Sequence, residues 1–377
     1  MGSDSDRLRV LVVDDSAYNR QTITSMLETM DDVVVAGRAM NGKEALQLAF
    51  DLEPDVITLD LEMPEMDGFS FLRLLMSRRP TPVLVVSGHS QRENVFRALE
   101  LGALDFIAKP GRDISPDLKT IEDELIAKIR MVRRLSAVRL SARARSLAEI
   151  ERANTTPISV LPEAAPEEGA APSGPPPDIV IGVAASTGGP PALQQLLCAM
   201  DPGLPLAVLV AQHMPPRFTK AFAERLDRIV PSRVIEAADG MPLCAGAVYI
   251  APGEANIEVQ YRSRGLPRPV IRVVAPERSG IGPVLTPSAD HLFTSVAREY
   301  GQNACVAVLT GMGSDGRDGA RVAHKAGATV MAEDPSTAVM PGMPHSAVET
   351  GLVDVVAPIE SLAEAMMDFV RARRGRR

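Results

Sequence analysis

Short apolar runs alternate with amphipathic segments along the first third of the chain. The runs predict five strands, at residues 9–13, 33–36, 56–59, 83–86 and 105–108. Between them, apolar residues recur at helical spacing, which predicts helices over 20–30, 43–51 and 93–101. Alternating strands and helices are typical of a doubly wound parallel sheet, in which ligands bind beyond the carboxyl ends of the strands. We therefore expect a parallel α/β domain here.

The same alternation returns from residue 178 onward. Strand-like runs occur at residues 179–185, 206–211, 248–250, 271–274, 305–309 and 328–331. The stretch 234–274 is rich in glycine and proline and predicts an antiparallel excursion of strands and turns. The second domain is therefore expected to be larger, mostly parallel and Rossmann-like, with a small antiparallel part.

The segment between the two domains has a different composition. Apolar residues at 121, 125, 129 and 132 form a helical stripe that is expected to close the first domain. From Lys128 to Arg152 there are eight basic and two acidic residues, which predicts a solvated helix face, with a surface for an acidic partner as the alternative. Residues 156–177 hold seven prolines, which predicts a semi-extended, disordered linker. The expected divisions are 7–126, 127–177 and 178–372.

Polar side chains follow four of the predicted strands in the first domain. Asp14 and Asp15 end the first strand, Asp60 the third and Ser87 the fourth, and Lys109 follows the fifth. The carboxyl ends of parallel strands meet at one edge, where clustered carboxylates call for a hard cation such as Mg²⁺. One aspartate could then accept a phosphoryl group. Helix-capping aspartates and solvated charges are the weaker alternative.

Residues 9–125 resemble the receiver domain of two-component response regulators. The resemblance rests on the motifs LVVDDS, LDLEMPEMDG, VVSG and DFIAKP, each in its expected place. It implies that Asp60 is the phosphoacceptor and that Asp14 and Asp15 hold Mg²⁺ beside it. It also implies that Ser87 and Lys109 sense the phosphoryl group. The stretch SGHSQREN after the fourth strand differs from the Ser-Ser-Leu-Thr type of stretch that the resemblance predicts. Ser87 still occupies the switch position, but its coupling to the rest of the protein through this loop is expected to differ.

One serine stands where a buried strand ends and a helix begins. Ser186 follows the apolar run 179–185, Thr187, Gly188 and Gly189 form a turn, and two prolines then open a helical pattern. Glycines allow backbone N–H groups to approach a ligand, and a helix N-terminus favours negative charge. This setting suits a nucleophilic serine beside an oxyanion site. A phosphate-binding loop and a helix-capping serine are the alternatives.

Chemically complementary side chains follow three parallel strands of the second domain. Ser186 follows the first, His213 the second, and Asp315 lies in the loop after 305–309. In a Ser-His-Asp combination the base takes the hydroxyl proton and the acid fixes the tautomer of the base. A core or capping role for His213 and a capping role for Asp315 are the alternatives.

Three other histidines compete with His213 for the role of base. His291 and His324 fall within helical patterns and are poorer candidates. His345 is expected in a proline-rich loop, PGMPHSA, and spacing alone does not remove it.

The stretch GMGSDG, residues 311–316, suggests a rival function. It matches GxGxxG, follows a strand and precedes a helix, and Glu333 and Asp334 stand at about the distance of a ribose-binding acid. A dinucleotide-binding oxidoreductase-type domain is therefore the alternative. This alternative is disfavoured because the motif is short, comes late in its domain and leaves Ser186 and His213 without a role.

Residues 178–370 resemble the catalytic domain of chemotaxis protein-glutamate methylesterases, the CheB family. The motifs, in the family's order behind a receiver, are GVAASTGGPPAL, QHMPPRFTKAFAERLD, AGAVYIAPG, PSADHLFTSVA, LTGMGSDGRDGA and PGMPHSAVETGLVD. The resemblance implies that Ser186 is the nucleophile, His213 the general base and acid, and Asp315 the residue that orients His213. Backbone N–H groups near Thr187 or Met312 are the candidates for the oxyanion hole, with Gly188 and Gly189 lining the site.

The resemblance also implies a reaction and its partners. The reaction is hydrolysis of glutamate γ-methyl esters on chemoreceptors through an acyl-enzyme, with deamidation of receptor glutamines as the same acyl transfer and no cofactor for the esterase. The unphosphorylated receiver is expected to cover the face of the catalytic domain that bears Ser186. Phosphorylation of Asp60 by a histidine kinase would uncover that face. The long linker predicts looser inhibition than is usual in the family. A catalytically silent docking protein is a further alternative, which the intact Ser186, His213 and Asp315 disfavour.

Composition narrows the range of partners and compartments. A formal net charge of −8, no Trp and 3% aromatic residues disfavour binding to nucleic acid. Three cysteines without metal-ligand spacing predict buried thiols in a reducing compartment. No run reaches membrane-spanning length, and the first residues lack the apolar core of a signal peptide, so we expect a cytoplasmic protein without membrane insertion.

Overall fold

The protein forms two compact units, each with its own sheet. The computed structural model describes residues 7–88, 92–109, 118–132, 135, 172–261, 264–276 and 286–374. The described residues up to 135 belong to the N-terminal unit, and those from 172 belong to the C-terminal unit. Most of the basic segment and the first part of the predicted linker lie outside the described residues, as does the loop at 89–91.

The N-terminal unit is a parallel sheet with strands in the order β2-β1-β3-β4-β5. The strands are β1 Leu8–Val13, β2 Val33–Ala39, β3 Val56–Leu59, β4 Val83–Ser87 and β5 Asp105–Ala108. The helices are α1 Ala17–Glu28, α2 Gly42–Leu52, α3 Gly68–Arg78, α4 Arg92–Glu100 and α5 Leu118–Val132. This confirms the predicted doubly wound domain and all five strands.

Local sequence signals start three of these helices. The side chains of Ser16, Asn41 and Asp67 each accept a hydrogen bond from a backbone N–H in the first turn of α1, α2 and α3. Each cap satisfies one N–H that has no partner within its helix. The caps therefore hold the first turn of each helix close to the strand end that precedes it.

Helix α5 carries the predicted apolar stripe, but its lysine is not solvated. Ile121, Leu125, Ile129 and Val132 are buried. The Lys128 ammonium is also largely buried and lies 2.8 Å from Glu124 and 3.3 Å from Asp105. Burial opposes its charge, but the two carboxylates outweigh burial and raise the pKa of Lys128. At this position the prediction of a solvated face is wrong, because Lys128 packs against strand β5, where Asp105 and the Phe106 carbonyl lie within reach of its ammonium.

The C-terminal unit is a seven-stranded parallel sheet in the order β14-β13-β12-β6-β7-β9-β8. Its strands are β6 Ile179–Ala185, β7 Leu206–Gln212, β8 Arg233–Glu236, β9 Ala247–Ile250, β12 Ala304–Val308, β13 Thr329–Glu333 and β14 Val355–Ala357. Two further strands, β10 Asn256–Gln260 and β11 Val270–Val274, form a separate antiparallel pair. The predicted fold class is confirmed.

Six helices accompany this sheet in the described residues. They are α6 Gly189–Cys198, α7 Phe218–Ile229, α8 Ala289–Tyr300, α9 Arg317–Lys325, α10 Gly342–Val348 and α11 Ile359–Arg374. Within the described part of the chain, no helix combines the length and apolar character needed to cross a bilayer.

The antiparallel part is smaller than the sequence predicts. Strands β8 and β9 pair in parallel at the edge of the main sheet, so the predicted antiparallel excursion over 234–274 is wrong in its first half. The connection between them, residues 237–246, returns the chain to the start of the next strand. It contains Gly240 and Gly246 at φ values of 76° and 79°. Such glycines mark tight turns, but they do not determine whether the next strand runs parallel or antiparallel.

The residues just before β6 pack on the C-terminal unit. The carbonyl of Pro172 accepts from the Cys244 thiol at 3.3 Å, and that of Pro175 accepts from the Ala245 N–H at 2.9 Å. These prolines belong to the predicted linker. Its last residues are thus hydrogen bonded to the loop that precedes β9.

Candidate active site

Three strand ends of the C-terminal unit bring the serine, the histidine and the aspartate loop to one edge. In the parallel pair β6–β7, Ala185 lies opposite Gln212, and the His213 N–H donates to the Ala185 carbonyl at 3.0 Å. On the other side of β6, the Ser186 N–H donates to the Thr310 carbonyl at 3.0 Å. Ser186 therefore stands between the ends of β7 and β12, one strand spacing from His213.

His213 and Asp315 form a direct pair at this edge. Nε2 of His213 lies 2.8 Å from Oδ2 of Asp315, and both side chains are more than nine-tenths buried. Burial opposes ionisation of Asp315, but its bond to His213 and two backbone N–H groups outweigh burial and lower its pKa. Because Nε2 faces the carboxylate, Nδ1 is the nitrogen left to exchange a proton with a hydroxyl.

The start of helix α8 holds Asp315 in place. Its Oδ2 accepts from the Ala289 N–H at 2.7 Å, and its Oδ1 accepts from the Asp290 N–H at 3.0 Å and the Ser288 hydroxyl at 3.2 Å. The positive end of the helix dipole thus faces the carboxylate. The N-cap residue of α9 is Gly316, so the alternative that Asp315 is the N-cap of its own following helix is wrong. Oδ1 of Asp315 does accept from the adjacent Gly316 N–H at 3.1 Å.

Gln212 ties the serine and histidine backbones together. Its buried carboxamide Nε2 donates to the Ser186 carbonyl at 2.9 Å and to the His213 carbonyl at 3.0 Å. Sequence reasoning missed this residue, although an amide at the end of an apolar strand and next to the candidate base is a usable signal. The carboxamide links the two strand ends that carry Ser186 and His213.

The turn after Ser186 offers fewer N–H groups than a helix start usually does. Gly188 is the N-cap of α6 at a φ of 78°, and the Gly189 N–H donates to the Ser186 carbonyl at 2.8 Å. Pro190 and Pro191 have no N–H. The first turn of α6 therefore adds its dipole but no free amide at residues 189–191. The amides near Thr187 and Met312 stay the predicted oxyanion donors, and no donor is expected from residues 189–191.

The glycine-rich loop 311–316 packs on the serine. A methyl group at Gly311 would lie 2.2 Å from the Met343 sulfur and 2.9 Å from Ser186 Cβ. Glu333, the candidate ribose-binding acid, is buried and accepts from the Thr310 N–H at 2.7 Å. These contacts fill the space that a dinucleotide would need beside Gly311 and leave Glu333 committed to the protein backbone.

The three histidines that compete with His213 lie in helices rather than at the end of a strand. His291 and His324 lie in α8 and α9, as predicted. His345 lies in helix α10, so the expectation of a loop is wrong, and its exposed ring lies 3.4 Å from Glu349. Pro344 is compatible with this helix because it falls in the first turn, where a proline costs no intrahelical hydrogen bond.

A second cluster lies at the strand ends of the N-terminal unit. Asp14, Asp15 and Asp60 each offer a carboxylate oxygen, and these oxygens lie within 4.8 Å of one another. Nζ of Lys109 lies 2.6 Å from Asp60 Oδ2 and 3.0 Å from Asp14 Oδ2. Burial raises the pKa of Asp60, an effect that Lys109 opposes and Asp14 reinforces. Ser87 is buried at the end of β4, opposite Ala108 in β5.

The donor chemistry of this cluster fits a hard divalent cation. All three ligand candidates are carboxylates, which suit Mg²⁺. Asp14 Oδ2 is buried and accepts no well-aligned hydrogen bond, although Lys109 lies near it. Burial of a carboxylate oxygen is costly without a neighbouring cation, and Lys109, 3.0 Å away, is that cation here, so the fit to Mg²⁺ rests on the three clustered carboxylates.

Comparisons with known proteins agree with the two-unit organisation. Residues 181–366 match the family described as CheB methylesterase, and residues 10–115 match the response regulator receiver domain. The protein-glutamate methylesterase/protein-glutamine glutaminase 6 of Anaeromyxobacter dehalogenans is 48% identical over 369 residues, which cover 97% of each chain. A Myxococcus xanthus protein with the same name, numbered 1, is 44% identical over 97% of this chain and 98% of its own length.

A solved structure is also similar to part of the chain. The CheB methylesterase catalytic domain of Thermotoga maritima is 33% identical and covers 53% of this chain and 100% of that chain, with a TM-score of 0.47.

Proposed function

Because the chain belongs to the CheB methylesterase family and carries a receiver domain, we propose that it hydrolyses glutamate γ-methyl esters on chemoreceptors with Ser186 as the nucleophile. The main support for the roles of these residues is the 2.8 Å hydrogen bond between His213 Nε2 and Asp315 Oδ2, which lies beside the strand end that bears Ser186. These groups are the nucleophile, base and orienting acid of acyl transfer.

The first half of the reaction acylates the serine. Ser186 Oγ attacks the ester carbonyl carbon while Nδ1 of His213 takes the hydroxyl proton. The tetrahedral intermediate then collapses, the bond to the methoxy oxygen breaks, and the imidazolium returns the proton so that methanol leaves. Asp315 stabilises the imidazolium because its lowered pKa keeps it ionised in the neutral range.

The second half releases the glutamate side chain. Water attacks the acyl-enzyme carbon, gives its proton to His213, and the carboxylate leaves as Ser186 recovers its hydroxyl. A receptor glutamine can follow the same path with ammonia as the leaving group, which would make the protein a glutaminase as well. Backbone amides near Thr187 and Met312 are the proposed donors to the oxyanion in both halves.

The receiver is proposed to control this site through Asp60. An oxygen of Asp60 attacks the phosphorus of the donor, the bond to the donor breaks, and an acyl phosphate forms. Asp14, Asp15 and Asp60 would hold Mg²⁺, which would neutralise charge on the phosphoryl oxygens. We propose that Lys109, which pairs with Asp60 in the structure, and Ser87, at the end of the neighbouring strand, respond to the new charge.

The proposed partners follow from these two chemistries. The phosphodonor would be a chemotaxis histidine kinase, and the substrate a methylated chemoreceptor helix whose charge changes when the ester is removed. All three cysteines are free, and Cys244 and Cys305 are buried as predicted, but the prediction of a buried thiol is wrong for Cys198, which is exposed. Free thiols suit a reducing compartment, which supports a cytoplasmic enzyme. We propose no role for nucleic acid or membrane insertion.

Methanol release from methylated receptor membranes tests both halves of this proposal. The full chain is compared with Ser186→Ala and Asp60→Asn, each with and without acetyl phosphate and Mg²⁺. We expect release that depends on Ser186, rises with the phosphodonor in the unsubstituted chain, and stays basal in Asp60→Asn.

The outcomes separate the esterase from its control. Serine-dependent release without any effect of the phosphodonor would support the esterase activity and contradict its control by phosphorylation. Equal release from the Ser186→Ala variant would contradict the nucleophile, and no release from any form would favour a silent docking protein.

A further inference from the structure

Helices α8 and α9 meet at their N-termini beside Asp315, and each helix is capped by an acid from the other. Asp315, which precedes α9, accepts from the N–H groups of Ala289 and Asp290 at the start of α8. In return, Oδ1 of Asp290 accepts from the Gly316 N–H at 3.0 Å and the Gly319 N–H at 2.6 Å at the start of α9. Both helix ends gain partners for N–H groups that have none within the helix.

The two helices approach so closely that only a glycine fits between them. A methyl group at Gly319 would lie 2.8 Å from the Asp290 Cα and 2.9 Å from the Cβ of buried Phe293. Gly316 joins Asp315 to α9 at a φ of 93°, a conformation that favours glycine. The backbone around Asp315 is thus fixed from both sides.

We propose that Asp290 is a positioning residue for the triad, which holds the Asp315–Gly316 turn so that Asp315 Oδ2 stays against His213 Nε2. The inference rests on the proposed function of Ser186, His213 and Asp315. Asp290 acts through hydrogen bonds to the backbone rather than through contact with the reacting atoms. Small displacements of a group that orients the base lower the rate of the chemical step more than substrate binding.

An asparagine at position 290 separates hydrogen bonding from charge. Its side-chain oxygen can still accept from the N–H groups of Gly316 and Gly319, whereas alanine removes the acceptor. Burial, with the neighbouring charges of Asp315 and Asp318, raises the pKa of Asp290 to about 6. The asparagine variant therefore also loses a carboxylate that is unfavourable beside Asp315 at neutral pH.

The test is the rate at which a fluorophosphonate labels Ser186 in the full chain, measured with acetyl phosphate and Mg²⁺ present. The kcat and KM for methanol release from methylated receptors are measured beside it. We expect Asp290→Ala to lower the labelling rate and kcat by about 10- to 100-fold with KM little changed. Asp290→Asn should recover most of the loss.

Asp318→Ala is the matched control, because Asp318 lies in the same first turn of α9, is exposed and pairs with Arg321 at 2.7 Å. It should label at the rate of the unsubstituted chain. Gly319→Ala is a second route to the same effect, since its methyl group would press on the backbone of Asp290.

Wild-type rates in a folded Asp290→Ala variant would overturn the proposal. If that variant does not fold, wild-type rates in Gly319→Ala would overturn it instead. An asparagine variant as slow as the alanine variant would contradict the hydrogen-bonding role. An Asp315→Ala variant that labels at the wild-type rate would refute the triad itself, which distinguishes failure of the proposed function from failure of this inference.

Discussion

Gly311 shows how closely single residues define the space around the serine. Its backbone N–H donates to the Met340 carbonyl at 3.0 Å, and its carbonyl accepts from the Met343 N–H at 2.9 Å. The loop is therefore anchored on one side to the segment 340–343 while its other side touches Ser186. A side chain at position 311 would have to displace either Met343 or Ser186.

We expect Gly311→Ala to lower kcat for methanol release by about 10- to 100-fold, because the new methyl group would press against Ser186 Cβ. The measurement is kcat together with the rate of fluorophosphonate labelling. Gly174→Ala is the control, since a methyl group there would meet its neighbours only at 3.7 Å or more. A folded Gly311→Ala variant with unchanged kcat would show that the loop yields without moving the serine.

At the level of elements, α5 is attached to the receiver sheet by charge as well as by its apolar stripe. Lys128 Nζ donates to the Phe106 carbonyl at 2.6 Å, in addition to its ion pairs with Asp105 and Glu124. The ammonium therefore connects the helix to strand β5. Replacing it would leave the carboxylate of Asp105 largely buried without this counter-charge.

We expect Lys128→Met to lower the free energy of unfolding of the N-terminal unit by about 3 kcal/mol, because breaking a buried ion pair leaves one charge without compensation. Chemical denaturation measures the change. The control is Arg130→Met in the same helix, which breaks an exposed pair with Asp32 at 3.7 Å and should change stability little. Equal changes in the free energy of unfolding for the two variants would mean that the buried ion pairs of Lys128 contribute no more to stability than an exposed pair.

At the level of the whole molecule, each unit has the parts of an independent domain. The N-terminal sheet and the C-terminal sheet share no strand. A core cluster drawn from the C-terminal unit alone extends from Val180 to Ala347 and includes Tyr249 and Phe293. Ser186, His213 and Asp315 all belong to this unit, as do the residues that hold them.

We therefore expect a fragment of residues 172–377 to fold alone and to release methanol in a manner that depends on Ser186. Its activity should not respond to acetyl phosphate, because Asp60 is absent. Thermal unfolding should show one cooperative transition. A fragment that fails to unfold cooperatively, or has no esterase activity beside an active full chain, would show that the C-terminal unit needs the rest of the protein.

Local patterns in the sequence were enough for most strands and for the groups at their ends. Apolar runs predicted all five receiver strands, and the polar residues after such runs predicted that Asp60, Lys109, Ser186 and His213 lie at strand ends. This works because the carboxyl ends of parallel strands share one edge, so a pattern along the chain already implies proximity in space.

The tertiary structure decided what depends on distant partners. Whether β8 and β9 run parallel, and whether Lys128 is buried, follow from neighbours far along the chain. His345 lies in a helix that begins at Gly342, which tolerates Pro344 because the proline falls in the first turn, a position that composition alone does not reveal. The mutual capping by Asp290 and Asp315 requires two helix starts to meet. No local pattern encodes such a meeting, because it results from packing between segments 25 residues apart.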